Sequence, residues 1–381
     1  MSTARRVAIL GAGPIGLEAA VSCLVRGFLP IVLEAETPGH NLRAWGPTKF
    51  FTPLSMNLSE RLRALLPEPV DESALLTGPQ TADLLVKMAA SHAISKHVHC
   101  NHRVLSITRH NWPRGEHAGH PIRSEMPFRT LVATRDGDRH IESDAVLDAT
   151  GTYGQPVPLT VAGAERLRGR VARTLGELHQ RITELSSAHV LLTGDGHSAA
   201  NAVVALESVP NVRVTWAVRG RDLRPLDAMT DDPLPERARI VHRANELCAK
   251  PPAWLSVLRG STMDAVAKCP ESDRRVRVTF SSGKTADVDL LVALHGYTPD
   301  HGILSELPLD ISPKTAGAGG LSRALANVTD CLTPPRVTPS DLASGEARFH
   351  MIGAKSYGRA STFLLQNGRV QLESILDGLF S

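Results

Sequence analysis

The sequence predicts an α/β protein made of two Rossmann-like units, the second inserted in the first. Three observations carry that expectation. A short apolar run leads straight into the pattern G-x-G-x-x-G at Gly11, Gly13 and Gly16. A second stretch of the same kind, "HVLLTGDGHSAANAVVALESVPNVRVTWAVRGRD", returns at His189 to Asp222. Each stretch is later followed by a hairpin and a strand that ends at a glycine, Gly151 in the first case and Gly296 in the second.

The elements follow in chain order. Val7 to Leu10 is branched and apolar, as a buried strand requires. Gly11 allows a tight turn, Gly13 lets a pyrophosphate approach the backbone, and Gly16 lets the following helix pack on the strand. Pro14 and Ile15 belong to the same cradle, where the unpaired N–H groups of the helix start would face phosphates. "IVLEAE" is a second strand with Glu34 near its end. That is about 20 residues past Gly11, the interval of an acid that binds a ribose. "FRTLVATRDGDRHIESDAVLDATG" reads as strand, Asp136-Gly137 turn, strand, and a third strand into Gly151. "GTYGQPVPLTVAG" is the expected crossing into the second unit, and "VARTLGELHQRITELSS" supplies a helix with Leu175, Leu178, Ile182 and Leu185 on one face.

The second unit repeats the logic with changes. Gly194, Gly196 and Ala199 give G-x-G-x-x-A, with His197 and Ser198 inside the motif. The next strand, "VRVTWAV", ends in Arg219-Gly220-Arg221 and has no acid in the equivalent place. Arginines there accommodate the 2′-phosphate of NADP, which an acid would repel. The alternative is that Arg219 and Arg221 are solvated surface charges. "VRVTFSSGKTADVDLLVALHG" closes the unit as strand, Ser282-Gly283 turn, strand, and a strand into Gly296. The expected organisation is a first part at residues 1–160, an inserted unit at 161–295 and a return segment at 296–381, with one dinucleotide per unit.

Composition narrows the function classes. The chain has 381 residues, 42% of them hydrophobic, and a formal net charge of +3. That charge is too small to argue for nucleic acid, and no basic run with interleaved aromatics occurs. No stretch reaches the roughly 18 apolar residues of a membrane span. Five scattered cysteines, with no C-x-x-C pair, suggest a reducing compartment, so a cytoplasmic location is expected. Arg5 and Arg6 before an apolar stretch mimic a leader, but Glu18 interrupts it and "MSTARR" reads as a short solvated tail. His110, His117 and His120 lie in a polar loop between strands, and no metal is expected there.

The pairing of "GAGPIG" and Glu34 with a nested "GDGHSA", the "DATG" ending at Gly151 and the "GYTPD" at Gly296 to Asp300 resembles the two-dinucleotide flavoproteins. Within them the chain is similar to the flavin-containing monooxygenase and N-hydroxylase-like group. The similarity is strongest to bacterial members with a "GHSA" second motif and a C-terminal segment like "KSYGRASTFLLQNG" at Lys355 to Gly368. The resemblance implies FAD in the first unit and NAD(P)H in the second, which the arginines narrow to NADPH. Two dinucleotides fit a monooxygenase using O₂ on a small N, S or carbonyl substrate, a reductase with a non-thiol acceptor, or a non-catalytic nucleotide-bound protein, and the resemblance at "GHSA" favours the first. It implies FAD contacts at Arg43, Trp45, Val104, Thr150 and Gly151, and at Gly353 and a helix beginning around Thr362. It places His197 at the nicotinamide nucleotide. Asn57 either faces the flavin or sits by a helix start that Ser59 caps. Two residues depart from the pattern: His295 stands where threonine is usual, and Lys355 where many relatives carry a ribityl-binding aspartate. Flavin would supply the redox chemistry, so no dedicated acid–base pair is required.

Overall fold

The structure is a computed structural model and describes residues 4–167, 169–270, 272–328, 331–332 and 337–380. Residues 1–3 of the tail lie outside the described residues. The chain divides into two compact units: Met1–Arg43, Thr52–Gln155 and Tyr297–Ser381 form unit 1, and Ala44–Phe51 and Pro156–Gly296 form unit 2.

Unit 1 begins with β1 (Arg6–Leu10), β2 (Leu29–Leu33) and β3 (Val98–His99). It continues through β4 (Arg103–Arg109), β5 (Phe128–Thr134) and β6 (Gly137–Ser143) to β7 (Ala145–Asp148). Unit 2 contains β8 (Val171–Ala172), β9 (His189–Thr193), β10 (Arg213–Val218) and β11 (Leu255–Arg259). Then come β12 (Met263–Cys269), β13 (Ser272–Phe280), β14 (Thr285–Val288) and β15 (Leu290–Ala293). The return into unit 1 supplies β16 (Phe349–Met351). The longer helices are α1 (Pro14–Val25), α2 (Gly78–Ala89), α3 (Leu175–Arg181), α4 (His197–Leu206), α5 (Pro235–Ala249) and α6 (Leu365–Gly378).

Each unit has one parallel sheet of five strands, in the order β16-β7-β1-β2-β3 in unit 1 and β11-β10-β9-β15-β8 in unit 2. Read in reverse, the second order corresponds to the first, and the strands at one edge differ in where they come from in the chain. Unit 1 takes its edge strand β16 from the returning chain, and unit 2 takes β8 from the chain that enters it. Each unit also carries a three-stranded antiparallel sheet, β4-β5-β6 and β12-β13-β14. Buried parallel strands read as continuous apolar runs because both faces are covered. Val7 to Leu10 are fully buried, and Trp216 on β10 is a fully buried member of unit 2's core.

In unit 1, α6 seats on α1 through Ser22, whose Oγ donates to Glu373 at 3.0 Å, and Arg26, which pairs with Glu373 at 2.8 Å and Asp377 at 2.6 Å. The loop between β4 and β5 is fastened from inside. Arg109 and Arg123 share the buried Glu346 carboxylate at 2.8 and 2.7 Å, and the Arg109 guanidinium lies 3.5 Å over the Phe128 ring. His117 of that loop packs on Trp112, and His110 lies 3.6 Å from Glu142.

Two expectations are corrected. The helix read across "VARTLGELHQRITELSS" is confined to α3, because Val171–Ala172 pairs as β8 and Ile182–Glu184 tightens into a 3₁₀ turn. Thr174 caps α3 by accepting from Glu177 N. The helix expected around Thr362 begins at Leu365, and Thr362 lies in the turn before it.

Candidate functional site

The glycine loop of unit 1 has the geometry its spacing demands. Gly11 sits at φ +91°, where L side chains are strained, and a Cβ there would lie 3.1 Å from Ala149 O. A Cβ on Gly16 would lie 2.0 Å from Gly11 O, so that position admits only hydrogen. A Cβ on Gly13 would meet nothing within 4 Å. Gly13 therefore faces open space at the start of α1, with Pro14 in the first turn. Gly151, at φ +70°, faces open space as well. Ile15 is buried beneath Gly353 and Gly368, whose missing side chains make room for it at 3.0 and 2.9 Å. This contact brings the return segment to the glycine loop.

A cavity of about 480 Å³ opens beside this loop, with Gly11, Glu34, Val104, Thr150, Gly151 and Asp300 among its lining. Glu34 is held in place by two backbone donors. Its Oε2 accepts from Ala12 N at 2.7 Å and its Oε1 from Glu36 N at 3.0 Å. A carboxylate offers about four acceptor sites, so each oxygen keeps capacity for a hydroxyl. That suits the vicinal diol of a ribose. The lip carries the exposed Arg103–Glu36 pair at 2.6 Å.

Lys355 is not in the cavity wall. It is 1% exposed and lies behind the wall, against Asp148, which is fully buried. Its Nζ donates to Thr150 Oγ1 at 3.0 Å and to the Asp300 carbonyl, and stands 3.2 Å from Asp148 Oδ2. The other Asp148 oxygen accepts from Thr150 N at 3.0 Å and Thr150 Oγ1 at 2.6 Å. The Asp148 contact is an ion pair without hydrogen-bond alignment, since Oδ2 has no hydrogen-bond donor. One ammonium thus ties together two segments of the cavity wall. Asp148 and Asp300 were written in the sequence as the ends of "DATG" and "GYTPD", but nothing local marks them as partners of a lysine.

Other residues singled out in unit 1 are engaged locally. Asn57, at the end of the helical turn Leu54–Asn57, is buried and makes a reciprocal pair with Thr52. Its Nδ2 donates to Thr52 O at 3.0 Å, and Thr52 Oγ1 donates to its Oδ1 at 2.5 Å. Ser59, not Asn57, caps the next turn by accepting from Leu62 N at 2.9 Å. Arg43 pairs with Asp83 at 2.8 Å. Thr362 is buried, and Gly353 N donates to Gln371 Oε1 at 3.2 Å. Trp45, read alongside Arg43, falls in unit 2, where its ring centroid is 4.7 Å from Phe50.

Unit 2 repeats the cradle. Gly194 sits at φ +125°, with a Cβ position 2.4 Å from Leu294 O, and Gly196 faces open space ahead of α4. Ala199 is fully buried in the place of Gly16. Trp216 Nε1 donates to Gly194 O at 2.8 Å and pins the loop. His197 opens α4 with its ring edge-on to Phe51 at 5.6 Å, and Ser198 follows it. Strand register makes Val218, not Arg219, the counterpart of Glu34: Leu10 pairs with Leu33, whereas Thr193 pairs with Ala217. Arg219 is the first residue past the strand and reaches back to Asp195 in the glycine loop, at 3.2 and 3.0 Å. This hydrogen-bonded pair raises the Arg219 pKa. Arg221 lies along Gly260, with its Cγ 3.2 Å from where a Cβ would stand. His295 shares a hydrogen bond of 2.9 Å with Thr193 Oγ1, and desolvation followed by the Arg219 charge lowers its pKa.

None of the chain's five cysteines is in a disulfide: Cys23, Cys248 and Cys269 are buried, and Cys100 and Cys331 are half-buried. No helix among the described residues is long and apolar enough to cross a membrane, and no group of metal-ligating side chains gathers among them.

The family profile described as pyridine nucleotide-disulphide oxidoreductase matches residues 128–316, which include the whole Pro156–Gly296 segment. No curated protein matches the chain in sequence. Solved structures do match in fold. The bacillithiol disulfide reductase Bdr of Bacillus cereus aligns with a TM-score of 0.70 at 19% identity, over 99% of each chain. The flavin-containing monooxygenase of Stenotrophomonas maltophilia aligns at 0.62 and 20%, over 98% of each. The ornithine N-hydroxylase of Kutzneria sp. 744 aligns at 0.62 and 16%, over 99% of each. Likeness at this identity carries the fold alone: a mixed α/β chain of two Rossmann-like units, a fold found in flavoprotein reductases and monooxygenases.

Proposed function

We propose that the protein is an FAD-dependent, NADPH-using oxidoreductase, with FAD held by unit 1 and NADPH by unit 2. One observation carries this reading. The two glycine cradles share their construction and differ in charge at the strand end, with an acid, Glu34, in one and arginines in the other. An acid there suits an unsubstituted ribose, and arginines suit a 2′-phosphate. In unit 1, Gly13 and Gly151 leave room for the pyrophosphate, and Glu34 has acceptor capacity for the ribose diol. The flavin would supply the electron transfer. The chain's own residues bind the nucleotides, orient them and limit water.

The reaction we favour is monooxygenation, with O₂ as co-substrate and a small molecule bearing a nucleophilic N or S, or a carbonyl, as acceptor. The "GHSA" and "KSYGRASTFLLQNG" segments and the fold likeness to a monooxygenase and an N-hydroxylase support it. A second reading is an NAD(P)H-dependent flavin reductase that passes electrons to a non-thiol acceptor. The fold likeness to a disulfide reductase favours that class, while the scattered cysteines, with no C-x-x-C pair, offer no dithiol to serve it. A non-catalytic, nucleotide-bound protein would bind FAD without oxidising NADPH.

A visible spectrum of the purified protein and anaerobic titration with NADPH and NADH test the cofactor reading. Bound flavin should bleach with NADPH, and NADPH should be preferred over NADH by roughly tenfold, the effect of one charge-assisted contact to the 2′-phosphate. Arg219→Ala with Arg221→Ala should raise the KM for NADPH and leave that for NADH nearly unchanged. A protein that takes up no FAD sinks the reading of unit 1. Equal use of both nucleotides sinks the NADPH assignment.

A further inference from the structure

We propose that Asp195 is the specificity-setting residue of unit 2: its carboxylate holds Arg219, and a 2′-phosphate on the adenosine ribose must compete for that arginine. The inference rests on the nucleotide reading of unit 2 given above.

Asp195 occupies the middle of the glycine loop, between Gly194 and Gly196. Arg219 grips it with two parallel hydrogen bonds, Nε to Oδ2 at 3.2 Å and Nη2 to Oδ1 at 3.0 Å. Such fork-to-fork geometry matches a phosphate as well as a carboxylate. The pair is accessible, with the Arg219 side chain 77% exposed and that of Asp195 26%. Exposed pairs are worth about 1 kcal/mol or less, so a dianion can displace the carboxylate.

Unit 1 clarifies the arrangement by contrast. There Ala12 fills the loop position, and the acid is Glu34, the first residue past β2. Unit 2 distributes charge differently: an acid, Asp195, on the loop, a base, Arg219, first past the strand, and the buried Val218 at Glu34's register position. Beyond Arg219, Arg221 lies along Gly260, exposed and in no ion pair among the described residues. Asp195 therefore lowers affinity for a 2′-phosphate twice: it occupies Arg219 and it repels the incoming charge. A 2′-hydroxyl meets neither effect.

The test is calorimetric titration of the full-length, FAD-saturated protein with NADP⁺ and with NAD⁺. Wild type is compared with Asp195→Asn, Arg219→Ala and the double variant. Asp195→Asn removes the charge at constant size, and its melting temperature should stay near that of wild type. It should bind NADP⁺ about fivefold or more tightly than wild type, the equivalent of roughly 1 kcal/mol, with NAD⁺ affinity unchanged within about twofold. In the Arg219→Ala background the same change should have a smaller effect, because only the repulsion remains to be relieved. NADP⁺ affinity that stays the same or weakens in Asp195→Asn, while wild type binds both nucleotides, overturns the role of Asp195 and leaves the nucleotide reading intact. Failure of wild type to bind either nucleotide overturns both.

Discussion

Gly13 and Gly16 lie in one motif and are glycine for different reasons, which separates the outcomes of changing them. Gly16 has no space: its Cβ would lie 2.0 Å from a backbone oxygen that cannot swing aside. Gly16→Ala should therefore cost stability, by about 1–3 kcal/mol, read as a lowered Tm of the protein without added nucleotide. Gly13 has space that a ligand would use, since its Cβ would meet nothing within 4 Å. Gly13→Val should keep the Tm of the nucleotide-free protein close to wild type and lose FAD, measured by flavin retained after gel filtration. A Gly13→Val protein that remains yellow would count against the pyrophosphate path. Both roles are legible in sequence, because G-x-G-x-x-G fixes the loop through local sterics alone. The partner of Arg219 is not. Asp195 and Arg219 are joined only when β9 and β10 pair, and a one-residue shift of register moves the side chain that reaches the loop.

At the scale of elements, the parallel strands were legible and the edges were not. β1, β9 and β15 are apolar runs bounded by glycine, so their burial is written locally. β8 has only two residues, and β4 alternates between exposed and half-buried positions along much of its length. β8 exists because the distant β15 completes it, and β4 because β5 pairs with it across a long loop. The same holds for Lys355, which lies in the short helical turn Ala354–Tyr357 and whose partners come from the end of β7 and from Asp300. Sequence marks it only as a departure, and the fold turns it into a buried tie between segments. Removing one member of a buried pair strands the other charge, at about 3–5 kcal/mol. Lys355→Met should therefore lower stability by about that amount in urea unfolding. Adding Asp148→Asn should recover part of the loss, because the stranded charge is gone. Lys355→Met as stable as wild type would mean that the ammonium contributes no net stability there.

At the scale of the whole molecule, the competing readings differ in where electrons leave the flavin. A thiol route needs an accessible, low-pKa cysteine. Burial pushes the Cys23 thiol up to about 12 and also raises those of Cys100 and Cys248. Cys100→Ser with Cys331→Ser, the two half-buried positions, should thus retain NADPH-dependent flavin reduction. Loss of turnover in that variant, with FAD bound and the fold intact, would reopen the thiol route. The remaining choice is between oxygen transfer and electron transfer to an added acceptor, and fold likeness does not make it, because both classes share this architecture. Isotope bookkeeping does. Under ¹⁸O₂ with NADPH, a monooxygenase places one labelled atom in its product and the other in water for each NADPH oxidised. A leaky site instead releases H₂O₂, because oxygenation depends on excluding water from the reacting centre. The expected result across a panel of amines, sulfides and ketones is label in at least one product, with H₂O₂ yield falling when that substrate is present. Rapid NADPH oxidation only with an added quinone or dye, and no label in any product, would assign the protein to the reductases.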